Sequence, residues 1–203
     1  MHTENADRTD SARTRILDSA ERIFVSKGFS GASLRAITSD ANVNLAAAHY
    51  YFESKQGLFS AVFHRRIEPI NEQRLTNLER LLNATGEPDL RQILAAFLRP
   101  VLLHSNQGTL EFMAQLTAEP EELIQPLIAR EFGHLITRFT VALKLVFPET
   151  SELDLNIRFS FVVGAMLQTI FNRSFFMGIG DVSKEVMYQK LLDFCVAGFL
   201  NNE

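Results

Sequence analysis

Apolar residues recur along this chain at spacings of three and four, not in alternation. Ile16, Ala20, Ile23 and Phe24 fall at i, i+4, i+7 and i+8, one stripe of a helix predicted over about Ala12 to Lys27. Gly28 stops that helix and Phe29 returns to the core. Ser33 is a good N-cap for a short second helix with Leu34, Ile37 and Ala41 on its inner face. Asn42-Val43-Asn44 makes a tight connection, and Asn44 is placed to cap a third helix from Leu45 to Tyr51. Ser54 caps a fourth, which begins Gln56-Gly57-Leu58, turns Leu58, Val62 and Phe63 inward and runs to about Leu82. Pro69 is expected to bend or locally break it. Beyond Gly86-Glu87-Pro88, helices are predicted near Leu90–His104, Thr109–Thr117, Pro120–Phe147, Glu152–Met177 and Ser183–Asn201. Asn106-Gln107-Gly108, Glu119-Pro120, Pro148-Glu149-Thr150 and Gly178-Ile179-Gly180 separate them. No alternating β-branched run bounded by turn signals is present, so the expected class is all-α with about nine helices.

The second and third helices have the shape of a groove-reading pair. Both are short, only a few residues join them, and the second is capped and about two turns long. Such a helix presents its N-terminal half to a DNA major groove about 12 Å wide while the helix before it braces across the backbone. Ala41 is small enough for the two to cross closely, and Val43 fills the turn from beneath.

Charge sharpens this picture. The net charge of −4 argues against a DNA binder until the chain is divided. Residues 1–66 hold nine Lys/Arg and seven Asp/Glu, a net of +2, whereas the remainder carries −6. Three of the seven acids (Glu4, Asp7 and Asp10) sit in the polar N-terminal stretch, so the asymmetry favours nucleic acid at that end. The start of the chain lacks a basic n-region followed by an apolar stretch. Leu155 to Phe171, the nearest approach to a membrane span, is interrupted by Arg158 and Gln168. The lone Cys195 has no internal disulfide partner, so a soluble cytoplasmic protein without membrane contact is expected.

Specific residues carry a family resemblance. Ala20-Glu21-Arg22-Ile23-Phe24, Gly28-Phe29, Ser33 to Ile37, Ala41-Asn42-Val43, Tyr50-Tyr51-Phe52 and Ser54 to Phe59 resemble the DNA-binding domain of the tetracycline-repressor (TetR) family. Asn44-Leu45-Ala46-Ala47-Ala48 and Arg65-Arg66-Ile67-Glu68-Pro69 further resemble the branch containing the fatty-acid-responsive regulator PsrA. The polar composition of the first residues suggests a frayed, disordered tail over 1–10, and the resemblance implies a helix-turn-helix domain over 11–58 and a ligand-binding and dimerisation domain over 59–203. It implies a homodimer on double-stranded DNA with a palindromic operator, most often a repressor released by a small apolar or amphipathic effector. An activator or a ligand-independent DNA-binding protein is the alternative. Ser33 and Arg35, at the start of the second helix, suit a phosphate. Lys55 and Tyr50 match family residues that contact the DNA backbone. Asn44, Leu45, Ala46, Ala47 and His49 face the groove, with thymine-methyl contacts from the apolar members and His49 as the main polar reader.

Twelve of the seventeen phenylalanines lie after residue 66, which suits core packing and, if a cavity exists, an apolar one. Candidate ligand contacts are Arg99, His104, Phe112, Arg130, His134, Gln168, Asn172 and Arg173. The last two helices are apolar on more than one face, so Phe159, Val162, Val163, Met166, Ile170, Leu191, Phe194 and Phe199 are candidates for a dimer interface. The resemblance implies a four-helix bundle there, two helices from each subunit. No catalytic residue, metal site or cofactor is expected. The five histidines lack zinc-ligand spacing, there is no Cys-x-x-Cys, and neither glycine-rich phosphate loop is present.

Overall fold

Among residues 2–116, 118–171 and 182–200, which the computed structural model describes, all regular structure is helical, in nine elements. They are α1 (His2–Gly31), α2 (Leu34–Asp40), α3 (Leu45–Phe52), α4 (Lys55–Leu82), α5 (Leu90–His104), α6 (Gln107–Leu116), α7 (Glu121–Val146), α8 (Glu152–Phe171) and α9 (Lys184–Leu200). The expected end of α8 at Met177, the glycine break after it, and the expected ends at Thr117 and Asn201 lie outside the described residues.

Caps explain most boundaries. Ser33 accepts a hydrogen bond from Ala36 N at 3.2 Å and Asn44 accepts one from Ala47 N at 2.8 Å, so each starts its helix as expected. Asp89 and Gln92 form a reciprocal capping box that launches α5. Gly28, at φ 69° and ψ 176°, interrupts the helical backbone of α1 three residues before its end, in the left-handed region that glycine tolerates. The other end of α1 differs from expectation. Its backbone begins at His2 rather than near Ala12, and no proline or glycine lies between to stop a helix. Pro69 does not end α4, which continues through it to Leu82. Its missing N–H withdraws only the one bond to the carbonyl of Arg65.

The chain forms two compact units, one of Met1–Glu68 with Glu111–Ala129 and the other of Pro69–Leu110 with Arg130–Glu203. The boundary expected after residue 58 falls inside α4. In the first unit, Ile16, Leu17, Ala20 and Phe24 of α1 are buried with Ile37, Ala48, Phe52, Leu58, Phe59 and Phe63. Phe24 and Phe29 set their rings against Phe59 at 4.9 and 5.3 Å, and Phe112 lies 5.8 Å from Phe59 on another side. Phe112 is fully enclosed in this aromatic cluster.

In the second unit, α9 packs on α5 and α8. Phe97, Phe139 and Phe159 form its aromatic centre, with ring centroids 4.8–5.9 Å apart. The other expected ligand residues do not converge. Arg99, His104, Arg130, His134 and Gln168 are exposed on α5, α7 and α8, and Arg130 pairs with Glu131 at 2.6 Å. Asn172 and Arg173 lie outside the described residues.

The dimer candidates divide by burial. Phe159, Val162, Met166, Leu191 and Phe199 are almost wholly enclosed within the subunit, although Val162 and Phe199 floor a surface groove beside Phe161 and Phe194. Val163 and Ile170 are half-buried, and Phe194 is 69% exposed. The outward stripe of α8 is instead Leu153, Ile157 and Phe161, at i, i+4 and i+8. No helix among the described residues is long and apolar enough to cross a membrane.

Candidate nucleic-acid interface

Four residues connect α2 to α3, and their backbone closes the turn tightly. Ala41 N donates to Ile37 O at 2.9 Å and Val43 N to Thr38 O at 3.0 Å, while Asn42 takes a left-handed φ of 52°. Asparagine is among the few non-glycine residues that adopt this conformation readily. Beneath the turn, the buried Ser19 hydroxyl donates to Ile37 O at 2.9 Å and ties α1 to α2. Arg22 pairs with Asp40 at 2.6 Å across the same two helices.

α3 is divided cleanly by burial. Ala48 and Phe52, four residues apart, face inward at 0% and 6% exposure. Ala46, His49 and Tyr50 face solvent, and Leu45 and Ala47 flank them half-buried. A side chain larger than alanine at 48 would hold α3 away from its bed, so the short reading helix lies close to the core. Tyr50 is 79% exposed, with its ring edge-on to Tyr51 at 5.1 Å. His49 Nδ1 lies 3.0 Å from the carbonyl oxygen of Glu53. A carbonyl only accepts, so Nδ1 carries the proton in that bond, and in the tautomer this assigns Nε2 is the acceptor.

Ser33 and Arg35 are both exposed at the start of α2, and Arg35 has no carboxylate partner among the described residues. Lys55 is tied back into the fold. Its ammonium donates to Phe29 O at 2.9 Å and Ala32 O at 3.1 Å, and it lies 4.2 Å from the centre of the Phe29 ring. Two of its three donors thus pin the end of α1 to the start of α4, which leaves one N–H for a phosphate.

Two further anchors were not read in the sequence. The side chain of Glu119 accepts a hydrogen bond from Phe29 N at 2.7 Å, capping the turn that Gly28 opens. Glu21, 8% exposed on α1, accepts from Arg65 Nη2 at 2.9 Å and also pairs with Arg66, while Arg65 Nη1 reaches Asp18 at 2.8 Å. An acid on the apolar side of α1 facing two consecutive arginines of α4 is the only sequence signal of this brace. Glu21→Gln leaves two half-buried guanidiniums with Asp18 as their remaining anion, and an expected loss of about 1–2 kcal/mol should be read in a denaturant titration. An unchanged midpoint would remove Glu21 from the brace.

Two family models match in chain order. The model for bacterial regulatory proteins of the tetR family matches residues 16–62, and the tetracyclin repressor-like C-terminal domain matches residues 95–198, more than half the chain. An HTH-type transcriptional regulator of Mycobacterium tuberculosis is 28% identical over 171 residues, covering 74% of this chain and 82% of its own. The HTH-type transcriptional repressor NicS of Pseudomonas putida is 33% identical over 95 residues, covering 47% of this chain and 42% of its own. The probable regulator YttP of Bacillus subtilis is 32% identical over 84 residues, 41% of either chain, so this chain spans less than half the length of NicS and YttP. Among solved structures, NalD, the secondary repressor of the MexAB-OprM multidrug efflux pump in Pseudomonas aeruginosa, aligns with a TM-score of 0.69 at 22% identity, covering 94% of this chain and 97% of its own. FadR from Bacillus subtilis, in complex with stearoyl-CoA, aligns with a TM-score of 0.69 at 16% identity over 91% of this chain and 98% of its own. These two likenesses are of fold. With the helix-turn-helix and the C-terminal domain both matched, the chain belongs to the TetR family of DNA-binding transcriptional regulators.

Proposed function

We propose that this regulator acts as a homodimeric repressor that leaves a palindromic operator when a small, largely apolar effector binds its second unit. The observation that carries DNA reading is the outward face of α3, where Ala46, His49 and Tyr50 stand clear of a core sealed by Ala48 and Phe52. Ser33, Arg35 and the third donor of Lys55 flank it as phosphate contacts, Asn44, Leu45 and Ala47 border the groove, and Tyr50 donates its hydroxyl to the backbone. Dimerisation is supported by the unpartnered stripe of Leu153, Ile157 and Phe161 on α8, which continues onto α9 through Phe194. Repression is favoured by the likeness to NicS, a transcriptional repressor. The likeness of residues 44–48 and 65–69 to the PsrA-like branch favours an amphipathic effector.

Anisotropy titration against the DNA upstream of the protein's own gene, with scrambled DNA as competitor, tests the reading. Operator preference that falls steeply with salt is expected, and equal affinity for both DNAs would defeat it. His49 sharpens the test. With Nε2 as an acceptor it pairs with a base-edge amine, adenine N6 or cytosine N4. His49→Ala is expected to relax preference at one base pair per half-site by about 1–3 kcal/mol while leaving non-specific affinity unchanged. A uniform loss across all sequences would make His49 a backbone contact instead.

A further inference from the structure

Arg74 is an anomaly of the second unit. It stands on α4 in the row Ile67, Asn71, Arg74, Leu78, where helical spacing asks for an apolar side chain, and it is 2% exposed. Nε donates to Phe97 O at 2.8 Å, Nη1 to Asn71 Oδ1 at 3.2 Å, and Nη2 points at Met166 Sδ at 3.3 Å. The guanidinium carbon lies 4.0 Å from the centre of the Phe97 ring. No carboxylate among the described residues pairs with it, and three bonds leave two of its five N–H groups unused. Burial pulls its pKa down to about 9, so it remains a cation at neutral pH. A buried charge without a counter-ion is costly, and a thioether is a weak acceptor for it.

One turn along the same seam lies an apolar cavity. Val101 follows Phe97 by four residues on α5 and Ile170 follows Met166 by four on α8, so both pairs share a helix face. Val101, Leu110, Thr169, Ile170, Lys184 and Met187 line a space of about 30 Å³, room for one water. Met166 sits at the guanidinium end of this seam. A methionine side chain has three rotatable bonds and repacks readily, so it can withdraw where a branched residue would not.

We propose that Arg74 receives the acidic head of the effector: the carboxylate of a largely apolar molecule displaces Met166 Sδ and binds the guanidinium, with its apolar part in the widened α5–α8–α9 cavity. This rests on the reading of the chain as an effector-responsive regulator and names the effector's chemical class. The planar fork of arginine matches a carboxylate in two parallel hydrogen bonds, and the pairing supplies the counter-ion that Arg74 lacks among the described residues.

The test uses the full chain without DNA and two matched pairs of probes, decanoate with 1-decanol and 1-naphthoate with 1-naphthalenemethanol. Calorimetric titration is expected to show at least one acid binding about tenfold or more tighter than its alcohol. Arg74→Met, which removes a buried charge for a similar volume, should abolish that preference. Met166→Ala should tighten the acid and not the alcohol, and it decides the matter if Arg74→Met fails to fold. Wild-type protein that binds neither acid better than its alcohol, a preference that survives Arg74→Met, or an acid affinity unmoved by Met166→Ala would each overturn the assignment. Operator binding is measured separately on ligand-free protein, so its failure strikes the regulator reading and leaves these outcomes distinct.

Discussion

Replacing Gly57 with alanine is expected to lower the melting temperature by about 6–12 °C, the equivalent of about 3 kcal/mol, and to remove operator binding. A Cβ at this position would stand 2.1 Å from the carbonyl oxygen of Phe52 and 3.3 Å from its carbon, both backbone atoms that no rotamer change can move. The last turn of α3 must therefore lift off the first turn of α4, which breaks the bonds from Gly57 N to Ser54 Oγ at 3.0 Å and from Ser54 N to Phe52 O at 2.6 Å. Because Phe52 is also the inner anchor of the reading helix, the strain falls on the segment that must fit the groove. Gly133 supplies the control. It lies inside α7, a Cβ there would meet nothing within 4 Å, and Gly133→Ala should be neutral or stabilising by up to about 1 kcal/mol. Calorimetric melting of both variants decides it. If Gly57→Ala melts with wild type, the α3–α4 turn is not drawn as tightly as its geometry states.

Phe161→Glu and Phe194→Glu should each convert a species of about twice 22.9 kDa into one of 22.9 kDa on light scattering. Both rings are exposed, at 70% and 69%, so neither change touches the subunit's own core and both variants should fold. Leu153, Ile157, Phe161 and Phe194 together make an apolar strip that is unusual on a monomer, and a charge at its centre is desolvated without a partner if two copies meet there. Losing the dimer turns one two-handed binding event into two separate ones, an expected fall of about 10²–10⁴-fold in operator affinity. Affinity for a single half-site should not change. Wild-type protein that is monomeric at micromolar concentration would overturn this interface.

The legible parts of the sequence were those whose physics is local. A serine or asparagine ahead of an apolar stripe marks a helix start whatever the rest of the chain does, and Ser33 and Asn44 cap α2 and α3 as read. Gly28 breaks the helical backbone where it was read as a stop, with a positive φ of 69°. Which side of an apolar helix meets its own core is a long-range fact. On α8 the pattern marked Phe159, Val162 and Met166 and passed over Phe161, which packing leaves on the outward side. Polar residues of the second unit misled for a related reason. Arg99 and His134 drew notice by their chemistry, whereas the enclosed cation is Arg74, detectable only as an intruder in an apolar row. Lys55 had a readable position at the start of α4, but its two carbonyl partners, 26 and 23 residues earlier, had no signature.

The burial pattern of α3 has an evolutionary consequence. Ala46 and His49 contribute nothing to the core, whereas Ala48 and Phe52 hold the helix in place. If the outward face of α3 reads the operator as proposed, positions that set its preference are separated from positions that keep the domain folded, on a helix of eight residues. Substitutions at 46 and 49 can accumulate without eroding stability, so related regulators can diverge to new promoters by few steps while 48 and 52 stay under strong constraint.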